Sequence, residues 1–398
     1  MGLDTPFQFF QRGVKYGIRR STEELTKPIV RNSMNQLWVT REELLERAKI
    51  NGSDIRFLGE PEQVQFDRPI GQFPPSEVIE EATGTFDFES PFIVEIENAT
   101  IRGPLALSSL SSGELIAEKD ADRPDLFARS IGYYIAERIV DQRVPDIQSF
   151  ERVVPLVGPM AKTYFHWFAD YLSRIEFIEA YAAETGAYPT LLIPSNPPTW
   201  ISESLSLIDY PSESVEEWEG GVAVADRLII PSSRRRHCPW SCSGFEHFQP
   251  STFRWLREEL GGNLSGSNPD HPSIVFVSRE DAKSRRVVNR TELLKSLSDF
   301  RVEKVVLSER SLRDQINLFQ NIDLVISPHG AGLVNTAFGK DLGVVELYGS
   351  HYNALFYSLA EGQANPYASV RCKDVGDDIR VDTDRVRTAV KMILDNLY

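Results

Sequence analysis

The residues suited to chemistry fall into two groups. The first lies in the stretch 323–348, DLVISPHGAGLVNTAFGKDLGVVELY. Ile322 followed by Leu324, Val325 and Ile326 suits a buried parallel strand. Ser327-Pro328 is expected to end it, because Pro328 cannot donate to a ladder. His329-Gly330-Ala331-Gly332 then leads into a helix from Leu333 to Phe338. A strand, a small-residue turn and a helix N-terminus together make an anion site, since free backbone N–H groups and the positive end of the helix dipole face outward. Gly330 and Gly332 are expected to let a diphosphate approach the backbone, and Glu346, closing the next apolar run, to accept from ribose hydroxyls. A second strand, Ile274 to Val277, ends at Ser278-Arg279, with Lys283, Arg285 and Arg286 just beyond. Guanidinium groups there suit a diphosphate, being planar, always charged and bidentate. With Asn335 on the helix, these residues read as the nucleotide half of a nucleotide-sugar site.

The second group is His166 and Asp170, four apart near the start of a helix and so on one face, with Tyr164 and Trp167 beside them. Spacing alone favours a hydrogen-bonded histidine on an aromatic helix. If that helix end faces a cleft, either residue supplies a general base. Other patterns are weaker. Asp120-Ala121-Asp122 and Asp382-Thr383-Asp384 have the D-x-D form of metal-dependent sugar transferases, but paired acids in polar turns are common in an acidic chain. His237, Cys238, Cys242 and His247 share one segment with a loose zinc-like spacing interrupted by Pro239. No bound metal and no cofactor are expected. Neither G-x-G-x-x-G nor G-x-x-x-x-G-K-[ST] occurs, which argues against a dehydrogenase-type dinucleotide site and a P-loop.

The elements that must position these residues alternate. Val153–Val157 reads as a strand, 163–181 as one helix, Leu191–Pro194 as a strand, Leu205–Ile208 as helical, and Val222–Val224 and Leu228–Pro231 as two strands. After the polar segment Ser232 to Pro250 come a helix from Ser251 to Leu260, the strand 274–277, a helix Thr291–Leu297, a strand Val302–Leu307, a helix Leu312–Phe319 and a closing helix Arg385–Leu397. Alternation of this kind means a parallel α/β sheet. Between Phe92 and Glu118 the pattern changes to small hairpins, turning at Glu97-Asn98 and Ser111-Ser112-Gly113, and Phe127–Ile139 reads as a helix. Thr40-Arg41-Glu42-Glu43 is a capping box. We divide the chain into an appendage (1–75), an acceptor-side unit (76–235) and a nucleotide-sugar-binding unit (236–398).

The chain has 398 residues, long enough for two cores, and a net charge of -15, which argues against a nucleic-acid binder. Three cysteines, Cys238, Cys242 and Cys372, fit a reducing compartment better than a disulfide framework, so a cytoplasmic location is expected. There is no apolar run of transmembrane length and no signal-peptide pattern. Phe7, Phe9 and Phe10 beside Arg12, Lys15, Arg19 and Arg20 leave two readings open: a peripheral contact with the inner face of the cell membrane, or a docked basic end.

SPHGAGLVNTAF with the following VVEL resembles the hallmark of glycosyltransferase family 61, also called the DUF563 or capsular-polysaccharide-biosynthesis-like family. FVSREDAKSRRVVNRTELLKSL is similar to that family's Arg-containing strand end, and TYFHWFADYLSRI to its H-W-x-x-[ED] helix. Val334 departs from the Ser or Thr common after HGAGL, and Thr163 from the Asn that often precedes the helix motif. The resemblance implies a GT-B fold, two Rossmann-like domains facing across a cleft. It implies inverting, metal-independent transfer from a nucleotide sugar to a glycan, polysaccharide or lipid-linked acceptor. It puts Asp170 or His166 at the catalytic position, with Ser278, Arg279, Arg285, His329, Gly330, Ala331, Gly332, Asn335 and Glu346 on the donor. A GT-B-fold sugar-nucleotide epimerase and a non-catalytic glycan-assembly protein remain as alternatives.

Overall fold

The computed structural model describes residues 38–51, 54–116, 118, 124–140, 147–236, 247–262 and 272–398. The N-terminal aromatic and basic residues, Asp120-Ala121-Asp122, and His237, Cys238 and Cys242 lie outside them. The chain is mixed α/β, and two sheets dominate the described residues.

The sheet that carries the first group runs Glu303–Val305, Ile274–Val277, Leu324–Pro328, Gly343–Tyr348, Tyr367–Arg371, Gly71–Phe73, with every neighbouring pair parallel. Its central strands are buried along their whole length, as expected when helices cover both faces. The closing helix Thr383–Leu397 lies on Gly343–Tyr348 and Tyr367–Arg371, burying Val386, Ala389, Val390 and Ile393. Asp382 caps it by accepting from the N–H groups of Asp384 and Arg385, so this D-x-D pattern is a helix start.

The other sheet runs Trp38–Val39, Leu115–Ile116, Leu107–Ser109, Phe92–Arg102, Val222–Pro231, Ile147–Pro155, Thr190–Pro194, Val215–Trp218, and Ile55–Phe57 also pairs with Phe92–Arg102. Val222–Pro231 joins two regimes: it is parallel to Ile147–Pro155 and antiparallel to Phe92–Arg102.

The structure redraws several expected boundaries. Phe92–Arg102 is one strand, not a hairpin, because Asn98 takes a positive φ of 53° and the ladder with Val222–Pro231 passes through it. Val222–Pro231 is likewise continuous: Arg227 sits in register with Glu97 on one side and Arg152 on the other. The strand Leu324–Pro328 ends at Pro328, as expected. Pro328 lies opposite Leu347, and His329, just past the strand, is tied to the same neighbour by donating its N–H to the Leu347 carbonyl at 2.7 Å. The expected helix over 163–181 is broken into Tyr164–His166, a widened π turn Trp167–Tyr171, a tight turn Leu172–Arg174 and a helix Ile175–Thr185. The Thr40 capping box is present, Thr40 N–H to Glu43 Oε2 at 3.1 Å and Glu43 N–H to Thr40 Oγ1 at 3.4 Å. The segment read as an appendage contributes Trp38–Val39 and Ile55–Phe57 to one sheet and the edge strand Gly71–Phe73 to the other.

One hydrophobic cluster crosses between the two sheets. Phe165 meets Phe356 edge-on at 5.4 Å and Phe248 at 5.8 Å, and Phe168 meets Phe338 at 6.1 Å. No helix among the described residues is long and apolar enough to cross a membrane.

His247 belongs to this interior. It stacks on Phe66 at 4.2 Å, lies against Phe86 at 4.2 Å, and its Nδ1 is 2.7 Å from Ser358 Oγ. Burial, with the charge of Arg236, pulls its pKa from 6.5 down to about 4. Between those values the unfolded chain binds a proton that the folded chain does not, so stability falls as pH drops from about 6.5 towards 4. Melting temperature should fall more steeply across that window in the natural protein than in His247→Gln; equal slopes would remove His247 as the source.

Candidate active site

Parallel strands bring their C-terminal ends to one edge, and the first residue group gathers there. His329 follows Leu324–Pro328 directly, 4% exposed. Its Nδ1–H donates to Glu346 Oε1 at 2.5 Å, and the Tyr367 hydroxyl donates to Glu346 Oε2 at 2.5 Å. Glu346 itself is 0% exposed. Burial and the Glu346 carboxylate push the Tyr367 hydroxyl well above the usual phenol range, so it stays a donor. Phe356 and Tyr352 pack edge-on against the imidazole at 5.1 and 5.8 Å, and Tyr352 stacks on Tyr348 at 3.7 Å.

Arg279 lies over the glycine turn. A Cβ on Gly330 would stand 2.1 Å from Arg279 Nη1, and one on Gly332 would stand 2.7 Å from Leu307 Cδ1. The glycines therefore make room for a guanidinium and a leucine. The expectation that they clear a path for a diphosphate needs that amendment: the group seen against Gly330 is the arginine. Gly330 is extended, with φ 172°, so space and not backbone strain demands glycine there. Beyond it, Ala331–Phe338 winds as a 3₁₀ helix. Arg285, at φ 60°, donates its N–H to the Asp377 carbonyl at 2.6 Å. Burial lowers the Arg279 pKa and the neighbouring charge of Arg285 lowers it further; burial lowers that of Arg285 while Glu346 raises it. Two guanidinium groups thus sit near each other, partly withdrawn from water, beside the turn. Arg286 is occupied elsewhere, paired with Asp378 at 2.7 Å.

A cavity of about 270 Å³ opens next to this turn. Ser278, Arg279, Gly330 and Gly332 line it from one sheet, and Tyr164 and Trp200 from the other. The Tyr164 hydroxyl crosses the seam and donates to Asn335 Oδ1 at 2.8 Å, while Asn335 Nδ2 donates to Gln315 Oε1 at 2.8 Å.

The second group forms its own cluster. His166 Nδ1–H donates to Asp170 Oδ2 at 2.7 Å. Arg235 grips both oxygens of the same carboxylate, Nε to Oδ1 at 2.5 Å and Nη2 to Oδ2 at 2.9 Å, and lies over the Phe248 ring at 4.3 Å. Asp170 is only 8% exposed. Burial raises its pKa, but the charge of Arg235, with the bonds from His166 and Arg235, outweighs burial and holds it far below the usual carboxylate range. The π turn Trp167–Tyr171 carries Asp170, and Asp170 O accepts from Arg174 Nε at 2.7 Å.

Ser278, Arg279, Gly330 and Gly332 share the cavity, and His329, Glu346 and Arg285 stand beside it in charge or hydrogen-bond contact. His166 and Asp170 stand apart from its lining; Phe356 touches both Phe165 and His329 between the two clusters. Two expectations need correction. Glu346 cannot receive a ribose where it stands, because it is sealed and both its oxygens are taken. Asn335 is wholly buried, with its amide spent on Tyr164 and Gln315. Sequence reasoning missed Arg235, Tyr367, Trp200 and Gln315. Only Arg235 carried a signal: Arg234-Arg235-Arg236 follows the end of Val222–Pro231, where charged groups at a strand end suit a site.

The family model described as Glycosyltransferase 61 matches residues 164–345, which take in His166, Asp170, Arg235, Arg279 and the turn 329–332 and stop just before Glu346. The match bears out the resemblance drawn from the HGAG turn, the arginine strand end and the His166 helix, and with it glycosyltransferase activity as a class. No curated protein matches the chain.

Removing the Glu346 carboxylate takes the acceptor from the His329 ring N–H and leaves the Tyr367 hydroxyl only its contact with the Tyr352 hydroxyl at 3.0 Å. Glu346→Ala should lower unfolding free energy by about 2–5 kcal/mol and Tyr367→Phe by about 1 kcal/mol, read from urea denaturation. A loss for Glu346→Ala no larger than that for Tyr367→Phe would show that the His329 bond adds nothing.

Proposed function

We propose, from the premise that residues 164–345 are a glycosyltransferase family 61 segment, that the protein moves a sugar from a nucleoside diphosphate to an acceptor hydroxyl with inversion and without a metal. The observation that carries this reading is the Arg279 guanidinium laid on the Gly330 turn beside Arg285. Two like charges in a partly dry place repel each other. A bound dianion relieves that repulsion and gains charge-assisted hydrogen bonds. The two guanidiniums and the backbone amides after Gly330 thus take the neutralising role a divalent ion has in other transferases. The two-sheet arrangement is read as GT-B, with the all-parallel sheet on the donor side.

His166 is assigned as the base. Asp170 is a poor candidate because Arg235 and His166 claim its oxygens and its pKa is depressed. It fixes the imidazole with Nδ1 protonated, leaving Nε2 to take the acceptor proton. The acceptor oxygen then forms its bond to the anomeric carbon as the carbon–oxygen bond to the diphosphate breaks. The departing diphosphate keeps the electron pair, and Arg279 and Arg285 meet its charge. His329, aligned by Glu346 and Tyr367, stands behind the turn as a further donor to the leaving group. The acceptor is a glycan, polysaccharide or lipid-linked hydroxyl, and the site of action is the cytoplasm.

Arg279→Ala should raise donor KM by tenfold or more, or abolish transfer, with an unchanged melting temperature. His166→Ala should lower kcat by about 10²–10⁴-fold while nucleoside diphosphate binding stays as it was. Transfer that survives His166→Ala at full rate would move the base elsewhere, and a retained anomeric configuration in the product would end the single-displacement reading.

A further inference from the structure

Trp200 lies on the helix Thr199–Leu207, which follows the strand Thr190–Pro194 of the sheet opposite the glycine turn, yet it lines the same cavity as Arg279 and Gly330. Its placement is fixed. Tyr164 stands edge-on to it at 5.4 Å, and Tyr164 is itself tied to Asn335. One turn along the helix Thr199–Leu207, Glu203 accepts the N–H of Leu312 at 2.9 Å, at the start of the helix Leu312–Asn321. Residues three apart share a helix face, so the bond that anchors Glu203 across the seam also holds Trp200 towards it. Val277, Ala282 and Leu307 supply the apolar part of the cavity from the side of the glycine turn, and besides Arg279 its polar points include Ser278, Asp281, Ser308, Gln315 and Ser327.

We propose that this cavity takes the base of the nucleoside diphosphate, stacked on Trp200, so that the half assigned to the acceptor also contributes to donor recognition. The inference rests on the donor reading above. At about 270 Å³ the cavity is smaller than the roughly 300–1,000 Å³ of sites that enclose a whole drug-sized ligand, so it fits one ring system and its ribose. Arg279 at its rim places the diphosphate end. A pyranose would bring hydroxyls to its whole circumference, and Val277, Ala282 and Leu307 have no side-chain partners for them. A planar base needs polar partners only at its edge, and its faces gain from an indole.

The test is calorimetric titration of the full chain with uridine, cytidine, thymidine, adenosine and guanosine diphosphates, and with inorganic pyrophosphate. Trp200→Ala should weaken the preferred nucleoside diphosphate about 10- to 100-fold, Trp200→Phe by much less, and neither should change pyrophosphate affinity. Trp200→Leu makes the same comparison, keeping apolar bulk without a π face, should the alanine variant unfold. Unchanged nucleoside diphosphate affinity in the alanine or leucine variant, with any loss confined to acceptor KM, overturns the proposal and leaves the donor reading standing. An equal loss for pyrophosphate also overturns it, because the effect would then run through Arg279. If the natural protein binds no nucleoside diphosphate in the panel, the donor reading falls, and this inference with it.

Discussion

A buried carboxylate with both oxygens committed, set against an imidazole, is the arrangement on which the site depends, and it occurs once on each side of the seam. Asp170 is held between His166 and Arg235, and Glu346 between His329 and Tyr367. In each case a second donor fixes the carboxylate, and the carboxylate fixes the tautomer and plane of the ring. Burying such an acid without partners is costly, so the surroundings must supply every bond. The partners differ. A guanidinium keeps Asp170 ionised, whereas Glu346 is met by a phenol that remains protonated. His166 therefore shares its carboxylate with a guanidinium, and His329 shares its carboxylate with a neutral phenol.

Between these two centres the interface is largely apolar and aromatic, with polar crossings at Tyr164 and at Glu203. Phe165, Phe168, Phe338 and Phe356 close it, and Tyr164, Asn335 and Gln315 bond across it. Water kept out of such a seam strengthens every charge interaction at its edge. The same packing explains why Arg279 can remain partly withdrawn from solvent beside Arg285: the turn beneath it has no side chain at Gly330, and Leu307 fills the space at Gly332.

Much of the scaffold was legible in the residues. The strand Ile274–Val277 is bounded by polar residues on both sides and appears where the pattern put it, and the Thr40 box caps its helix. The turn, its two arginines and the His166–Asp170 pair were also readable, because their types and offsets are local. The orientation of polar residues was not. Gly343–Tyr348 is buried on both faces, so alternation cannot tell whether Glu346 points to a ligand or into the sheet. Asn335 was misplaced for the same reason, on a turn whose last six residues are all buried. Continuous strands were lost where Glu97-Asn98 looked like a turn, since a single positive φ costs asparagine little. Trp200 and Arg235 meet their partners only through tertiary packing, at separations no motif spans.

The short edge strand Gly71–Phe73 has a mechanical consequence. The polypeptide enters one sheet at Trp38–Val39 and Ile55–Phe57, visits the other at Gly71–Phe73, returns at Phe92–Arg102, and crosses again before Ile274–Val277. The halves are thus laced by three backbone passages. Swinging one sheet against the other has to flex all three, and severing the last crossing alone would leave the pieces still stitched together.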